Sequence, residues 1–168
     1  MSLESNAYRR AWAAWLPGAL PLLEAEQYAE AFRTFPKPEA APVPFRAAPR
    51  DRRIAVVTSA GVYDRRTQAA FAAHSAIGDT GVRFFPQDLP VDRLAYAHGH
   101  YDREHVDADA EVLLPRAALR AAGAELTPTI ASFMGYTLDW PSFIESSIPQ
   151  LLAQARTDGA NCALLVPV

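Results

Sequence analysis

The sequence predicts an α/β domain of three layers with a mostly parallel sheet, preceded by an N-terminal pair of helices. Two observations lead to this fold class. Residues 54–57 form an unbroken apolar run, which is typical of a strand that is covered on both faces. After residue 50, further apolar runs alternate with helical patterns, as parallel strands joined by helices require. We therefore expect helices and a Pro-rich connector in residues 1–50 and the α/β domain in residues 51–168.

The first segment of the chain predicts two helices. Residues 7–16 carry Tyr8, Trp12 and Trp15 at helical spacing, and Pro17 with its following glycine is expected to end this helix. The tryptophan stripe predicts a surface that needs cover, either from the core or from a partner subunit. A second helix is expected at residues 20–32. The five prolines of residues 35–49 exclude a regular helix and a central strand there, and predict an extended connector.

The run at residues 54–57 is followed by four small residues that can let a ligand approach the backbone, namely Thr58, Ser59, Ala60 and Gly61. In open α/β sheets, ligands bind at such carboxyl ends of strands. A plain tight turn would explain the same residues equally well. Asp64 predicts the N-cap of a helix that reaches about residue 73.

The remaining elements follow from the same periodicities. Residues 82–85 predict a strand, and residues 88–94 a connector or helical turn. The later segments predict two helices and two strands. The helices are expected at residues 115–122, closed by Gly123, and at residues 141–156, interrupted by Pro149. The strands are expected at residues 129–134, ending at Gly135, and at residues 162–166, where the strand is predicted to be buried.

Composition excludes several classes of protein. The 168 residues carry a formal net charge of -3 and no long basic run, which argues against a nucleic-acid partner. No signal sequence and no run of 18 apolar residues occur, so we expect a cytoplasmic protein without a membrane partner. The single cysteine, Cys162, excludes an intrachain disulfide and sits in an apolar run, which favours a packed thiol.

Several common active-site motifs are absent. Ser59 is not surrounded by a G-x-S-x-G elbow, and neither a P-loop nor a G-x-G-x-x-G fingerprint follows a strand. Nucleotide binding is therefore disfavoured. Asp79, between Gly78 and Thr80, is expected to cap backbone amides in a turn, and it joins the candidate substrate-binding residues only if the turn lies beside Ser59.

The densest polar cluster lies at residues 98–102. In an extended segment, His98, His100 and Asp102 would point to one side, and two imidazoles with a carboxylate are a common metal-binding set. Acid–base or substrate-binding chemistry is a second interpretation, and structural hydrogen bonding a third. The pattern alone leaves all three open.

Six short motifs, taken together, resemble one protein family. They occur in this order: VTSAGVY (57–63), GDTGVRFFP (78–86), LAYAHGHYD (94–102), EVLLPRAALR (111–120), SFMGY (132–136) and DGANCALLVPV (158–168). The series resembles the selenoprotein B family, which holds the glycine/sarcosine/betaine reductase B component and the related D-proline reductase subunit. The resemblance covers residues 53–168.

The resemblance implies reduction of a small amino-acid-like substrate by a selenocysteine, or by a cysteine in its place. That residue is expected just after the last strand, so selenocysteine would follow Val168 in a full-length form. Cys162 does not match the redox position. An in-frame UGA codon after Val168, or a short form without redox activity, would explain why this chain lacks the redox residue. We expect the 168 residues alone to be inactive.

The residues assigned under this resemblance fall into two groups. The candidate catalytic residues are His98, Tyr101 and Asp102, and the candidate substrate-binding residues are Thr58, Ser59, Ala60, Gly61, Asp79 and Gly135. The expected partners are a small carboxylate or amine substrate and either a second copy or a partner reductase subunit, which would cover the sheet edge near Val168. Two alternatives remain: a non-catalytic small-molecule binding or regulatory module, and a metal-dependent enzyme using His98, His100 and Asp102.

Overall fold

A computed structural model describes residues 3–37, 51–97 and 103–168 of the chain. The α-helices are α1 (Leu3–Glu24), α2 (Tyr28–Phe32), α3 (Glu104–Ala108), α4 (Arg116–Ala121), α5 (Trp140–Ser142) and α6 (Ile148–Thr157). The strands are β1 (Arg53–Thr58), β2 (Val62–Asp64), β3 (Val82–Pro86), β4 (Leu94–Tyr96), β5 (Glu125–Leu126), β6 (Thr129–Phe133) and β7 (Cys162–Val166). Most of the predicted connector lies outside the described residues.

The main sheet is built around β1. Along one edge, β1 pairs in parallel with β5 and then with β6, and along its other edge it pairs in parallel with β7. β3 adds to the far side of β6 in the antiparallel direction. β2 and β4 form a separate antiparallel pair. The predicted α/β fold with a mostly parallel sheet and an N-terminal helical pair is therefore confirmed.

Both faces of the sheet are covered. On one face, Leu151 and Ala155 of α6 line a small cavity together with Ala55 and Ala131 of the sheet. On the other face lies the main hydrophobic core, which buries side chains from β1, the β2–β4 pair, α3, β6 and the segment before α4: Val56, Val62, Leu94, Val106, Leu113, Leu114 and Ile130. This central position of β1 explains why its sequence shows no alternation.

β7 corrects one prediction. Its sequence reads as a buried strand, but its residues alternate between half-buried and exposed, and Leu165 is 70% exposed. Among the described strands, β7 pairs only with β1 and therefore forms an edge of the sheet. An apolar run is thus insufficient to distinguish a central strand from an edge strand in this chain.

The N-terminal helix is longer than predicted. α1 continues through Pro17 and Pro21 to Glu24, whereas the sequence predicted an end at Pro17. Tertiary contacts of Trp12 and Trp15 fix the helix before these prolines, and the buried side chains of Ala19 and Leu23 fix it beyond Pro17 and Pro21. The Trp15 Nε1–H donates to the Ala31 carbonyl at 3.0 Å, and the Trp12 indole donates to the Leu138 carbonyl.

The same contacts correct the expectation about the tryptophan stripe. Trp15 is buried in a second core with Ala19, Leu23, Ala31 and Leu138, and Trp12 packs against it. The core-facing interpretation is therefore confirmed. The stripe offers no exposed tryptophan surface that would need a partner subunit to cover it.

The helix predicted from Asp64 to residue 73 is wrong. Asp64 ends β2, and residues 65–67 form a turn. The Asp64 carboxylate does accept the Arg66 N–H at 3.0 Å, as a capping residue would, but it also pairs with Arg93 and accepts the Thr67 hydroxyl at 2.7 Å. Pairing between β2 and β4 brings Arg93 to Asp64, which favours the turn over a helix.

The second half of the chain follows the predictions more closely. A 3₁₀ turn occurs at Val91–Arg93, and α4 ends before Gly123, whose φ is 77°. The last helical stretch begins at Trp140, contains a π-helical segment at Phe143–Ser147, and continues into α6. Pro149 lies in the first turn of α6, where proline is tolerated, and does not interrupt that helix. Among the described helices, none is both long and apolar enough to cross a membrane.

Candidate substrate-binding edge

Ser59 joins the ends of three strands at the carboxyl edge of the main sheet. Its N–H donates to the Val166 carbonyl at 3.1 Å, and its carbonyl accepts the Gly135 N–H at 2.7 Å. Its hydroxyl oxygen accepts the Val168 N–H at 2.9 Å. The hydroxyl retains its own hydrogen as a donor, because only a lone pair of the oxygen is used by Val168. Ser59 is half-buried, so this donor lies at an accessible edge.

Gly135 lies directly against Ser59, and its lack of a side chain is required by close approach. A Cβ atom at this position would lie 3.1 Å from the Ser59 carbonyl oxygen and 3.3 Å from the Ser59 Oγ. Gly135 itself is exposed. The two residues are therefore in contact, and their assignment to one substrate-binding site stays a prediction.

The other small residues of the edge lie deeper. Thr58 and Ala60 have no exposed surface, and the Thr58 hydroxyl accepts the Ala60 N–H at 3.2 Å. Gly61, whose φ is 64°, donates its N–H to the Phe133 carbonyl at 2.9 Å. These residues shape the edge from within, while Ser59 and Gly135 provide its accessible groups.

Asp79 has the structural role that its turn suggested. Its two carboxylate oxygens accept the N–H groups of Ala72 at 2.8 Å and Gly81 at 2.6 Å. The preceding Gly78 has a φ of 80°, and a Cβ there would lie 2.1 Å from the Tyr136 carbonyl oxygen. The Asp79 turn is therefore packed against the residue that follows Gly135. Its carboxylate stabilises this loop, whatever contact a substrate makes.

The candidate catalytic and metal-binding residues all lie outside the described residues: His98, His100, Tyr101 and Asp102. Ala97 is the last described residue before them, and its N–H donates to the Gly61 carbonyl at 3.0 Å. The chain therefore leaves the carboxyl edge of the sheet at Ala97. Within the described ranges, no group of three or more His, Cys, Asp or Glu side chains is arranged to hold a metal ion.

Comparison with known proteins identifies a relative of this chain. It is 31% identical to D-proline reductase subunit gamma of Acetoanaerobium sticklandii, in an alignment that includes 69% of this chain and 48% of the relative. This similarity supports a relationship between the chain and a reductase family. The family relationship inferred from the six motifs is thereby confirmed, and the two alternative functions are not favoured. The chain spans about half the length of the curated relative that it matches. No family model and no solved structure matches.

In this chain, Cys162 lies far from the edge that contains Ser59. Its sulfur is 3.6 Å from the Arg53 carbonyl oxygen, at the beginning of β1. At about 3.3 Å per residue, the four steps from Cys162 to Val166 separate the two ends of β7 by about 13 Å. Burial raises the pKa of the Cys162 thiol, which disfavours the nucleophilic thiolate. The prediction that Cys162 does not occupy the redox position agrees with this placement.

Sequence reasoning did not select Tyr96, although it lies in the same motif as His98. Tyr96 pairs with Val62 across the β2–β4 ladder and packs against the main core. Burial raises the pKa of its phenol, an effect that the Arg116 guanidinium partly opposes. The phenol therefore stays protonated near neutral pH. The only feature of the sequence that could have indicated Tyr96 is its position one residue before Ala97.

The sequence placed the expected redox residue just after the last strand, and the structure brings the end of that strand, β7, to Ser59 through backbone groups. Val166 and Val168 contribute a carbonyl and an N–H to Ser59, and no side-chain pattern could indicate that contribution. The nearest signal is the apolar run that predicts β7 itself. The end of β7 lies at Ser59 because Thr58 pairs with Val166. This placement depends on the register of the two strands and not on residue type.

Proposed function

We propose that this chain is part of a reductase that acts on a small amino-acid-like substrate by selenocysteine or cysteine redox chemistry. The observation that carries the proposal is the junction at Ser59. Three strand ends meet there, and the Val168 N–H is bound to the Ser59 hydroxyl. Residues that follow Val168 in a longer chain would begin beside the exposed Gly135. The redox residue implied by the family resemblance would then lie at the carboxyl edge, where open α/β sheets bind ligands.

The chemistry of this arrangement follows from the groups at the edge. A selenol or low-pKa thiol is nucleophilic as its anion, and nearby donors favour the charged form. The Ser59 hydroxyl hydrogen is such a donor, and it is equally suited to a substrate carboxylate. His98, Tyr101 and Asp102 stay the predicted proton-transfer residues. The hydrogen bond of Ala97 to Gly61 supports this assignment, because it ties the described chain to the edge next to His98.

The name of the relative supports D-proline as the first substrate to test, followed by glycine, sarcosine and betaine. We expect D-proline to raise the melting temperature of the chain more than L-proline does. The Ser59→Ala variant should bind D-proline about tenfold more weakly, because a lost hydrogen bond to a charged group costs about 1.5 kcal/mol or more. Ser142→Ala is the matched control, since Ser142 is exposed and lies on α5. Binding of none of the four compounds, or equal binding by both variants, would contradict the proposed substrate class.

The redox residue has a separate test. A UGA codon after the Val168 codon, followed by a homologous reading frame, would support selenocysteine at this place. An ordinary stop codon without such a frame would contradict it. Turnover by the 168-residue chain alone is expected to be absent, so robust reductase activity of that chain would also argue against the proposed redox position.

We further propose that the protein works with a second chain, either another copy or a different reductase subunit. The relative is named as a subunit, and β7 presents an apolar edge on which Leu165 is 70% exposed. Exposed strand edges are the usual sites of pairing between chains. A monodisperse monomer in light scattering would contradict the association of two copies of this chain. A cytoplasmic location stays a prediction from the sequence.

A further inference from the structure

The segment that follows Gly135 connects the candidate edge to the N-terminal helices. The Gly135 N–H donates to the Ser59 carbonyl at 2.7 Å, and three residues later Leu138 is buried in the second core. Among the described residues, Leu138 is the only buried member of this core from outside the helical pair. The other buried members all belong to α1 or α2: Trp15, Ala19, Leu23 and Ala31. The helices therefore hold a residue that lies only three positions from the edge.

Both backbone groups of Leu138 are also hydrogen-bonded. Its carbonyl accepts the Trp12 indole N–H from α1, and its N–H donates to the Ile77 carbonyl at 2.8 Å. A buried carbonyl that loses its donor is left desolvated without compensation, so these bonds oppose any movement of Leu138 away from α1. Leu138 is thus held from two sides, by the first helix and by the turn that contains Ile77.

The two residues between Gly135 and Leu138 are packed as closely. Thr137 is 2% exposed and forms a β-bridge with Gly78. A Cβ atom at Gly78 would collide with the carbonyl group of Tyr136, so the turn and the segment are in direct contact. Close-packed groups transmit displacements because they have no free space in which to adjust. A shift of Leu138 would therefore be carried to Gly135.

The helical pair also contacts the helix that follows this segment. Arg9 of α1 forms an ion pair with Glu145, which lies in the π-helical segment Phe143–Ser147. Both side chains are partly exposed, so the pair contributes little to stability on its own. It does add a second point of contact, so that α1 meets the chain on both sides of Asp139, where the last helical stretch begins.

We propose that Trp12 is a positioning residue for the candidate edge, and that docking of α1 through Leu138 fixes Gly135 against Ser59. The inference rests on the proposed function, because the edge that it concerns is the proposed substrate site. Docking of the helices and substrate binding at Ser59 are then coupled, and each favours the other by the same factor. Trp12 acts through Leu138 and not by contact with the substrate.

Hydrogen exchange measured by NMR on the full chain tests the positioning itself. The amides of Gly135 and Leu138 report on the segment. The Ser59 amide, which donates to the Val166 carbonyl at 3.1 Å, is an internal reference at the same junction. We expect Trp12→Phe, which removes the indole donor, to speed exchange at Gly135 and Leu138 by about fivefold, as the loss of one hydrogen bond would. Exchange at Ser59 should stay close to that of the parent.

The matched control is Val106→Ala, which removes buried side-chain atoms from the main core. It should lower the melting temperature without a selective increase in exchange at Gly135, so that a global loss of stability is distinguished from a loss of positioning. Arg9→Gln, which removes the ion pair with Glu145, is a milder second variant of α1 and should act in the same direction as Trp12→Phe. Unchanged exchange at Gly135 in each folded variant of α1, or the same selective increase in Val106→Ala, would overturn the proposal.

Coupling to the site is measured with D-proline by calorimetric titration. We expect Trp12→Phe to bind D-proline about fivefold more weakly, at the lower end of typical coupling between two sites, and Val106→Ala to bind it as the parent does. Bound D-proline should in turn slow exchange of the Trp12 indole N–H in the parent. Equal affinity of the parent and Trp12→Phe would overturn the coupling. If the parent does not bind D-proline, the proposed substrate fails, whereas exchange at Gly135 still decides whether Trp12 positions the segment.

Discussion

Gly135→Ala tests whether the junction at Ser59 is as tightly packed as the distances indicate. The new Cβ would lie 3.1 Å from the Ser59 carbonyl oxygen and 3.3 Å from both Cβ and Oγ of Ser59. These contacts are shorter than ordinary van der Waals separations, so one partner must move. Ser59 resists movement because its N–H, carbonyl and hydroxyl oxygen are all hydrogen-bonded, to Val166, Gly135 and Val168.

The expected size of the effect combines two opposing contributions. Overpacking a methyl group into a fixed site costs about 1–3 kcal/mol. Replacing glycine by alanine also removes freedom from the unfolded chain, which returns about 0.4–1 kcal/mol. Gly135 is not among the glycines with positive φ, so backbone strain adds nothing. We therefore expect Gly135→Ala to lower the free energy of unfolding by about 1 kcal/mol, or the melting temperature by about 2–4 °C.

Gly18→Ala is the matched control. Gly18 lies within α1, and a Cβ there would meet nothing within 4 Å. Alanine is favoured over glycine in a helix by about 1 kcal/mol, so this variant should be more stable than the parent. Urea unfolding followed by circular dichroism measures both changes. If Gly135→Ala were as stable as the parent, while Gly18→Ala was stabilised, the rigid junction would be refuted.

Two further predictions concern groups buried away from the edge. The Arg93 guanidinium, followed by the Thr67 hydroxyl and the Arg66 N–H, lowers the pKa of Asp64 from 3.8 to about 2. As pH falls, the unfolded chain therefore takes up this proton before the folded chain does, and the contribution of Asp64 to stability, present above pH 4, should be lost between about pH 4 and pH 2. Asp64→Asn should flatten the pH dependence of the free energy of unfolding, measured with urea, in that window. An unchanged pH dependence would contradict the assignment. Trp15→Phe should destabilise the chain by about 1–3 kcal/mol, because it leaves the Ala31 carbonyl without the indole donor that lies 3.0 Å away. Trp140→Phe is the comparison for the loss of an indole, and equal unfolding midpoints for the two variants would count against the Trp15 hydrogen bond.

The sequence predicted those parts of the fold in which local pattern and tertiary context agree. β1, β3, β6 and α4 appear where apolar runs, proline and glycine placed them. The failures occur where distant residues decide the outcome. Pro17 did not end α1, because Ala19 and Leu23, which follow it, are buried in the same core as Trp15. Asp64 did not start a helix, because Arg93 reaches it from the 3₁₀ turn that precedes the neighbouring strand β4.

The site shows the same division. The small residues from Ser59 to Gly61 indicated an open strand end, and their contact with Gly135 depends on a register that no local pattern contains. The role of Val168 is a backbone contact, so residue identity carries no signal for it. Residue type can be read from the sequence, whereas the placement that brings Ser59, Gly135 and Val168 together cannot.

The pairing of β1 with β7 also has a consequence for how the chain folds while it is being translated. Arg53 and Asn161, which flank this pairing, are 108 residues apart, so β1 can gain this neighbour only after that interval has been translated. At about 5–20 residues per second, a ribosome needs roughly 5–20 s to cover that interval. Throughout this time the apolar edge of β1 lacks its final partner, in a topology of distant contacts that folds slowly. Slower elongation would therefore prolong the time for which this edge is exposed to aggregation.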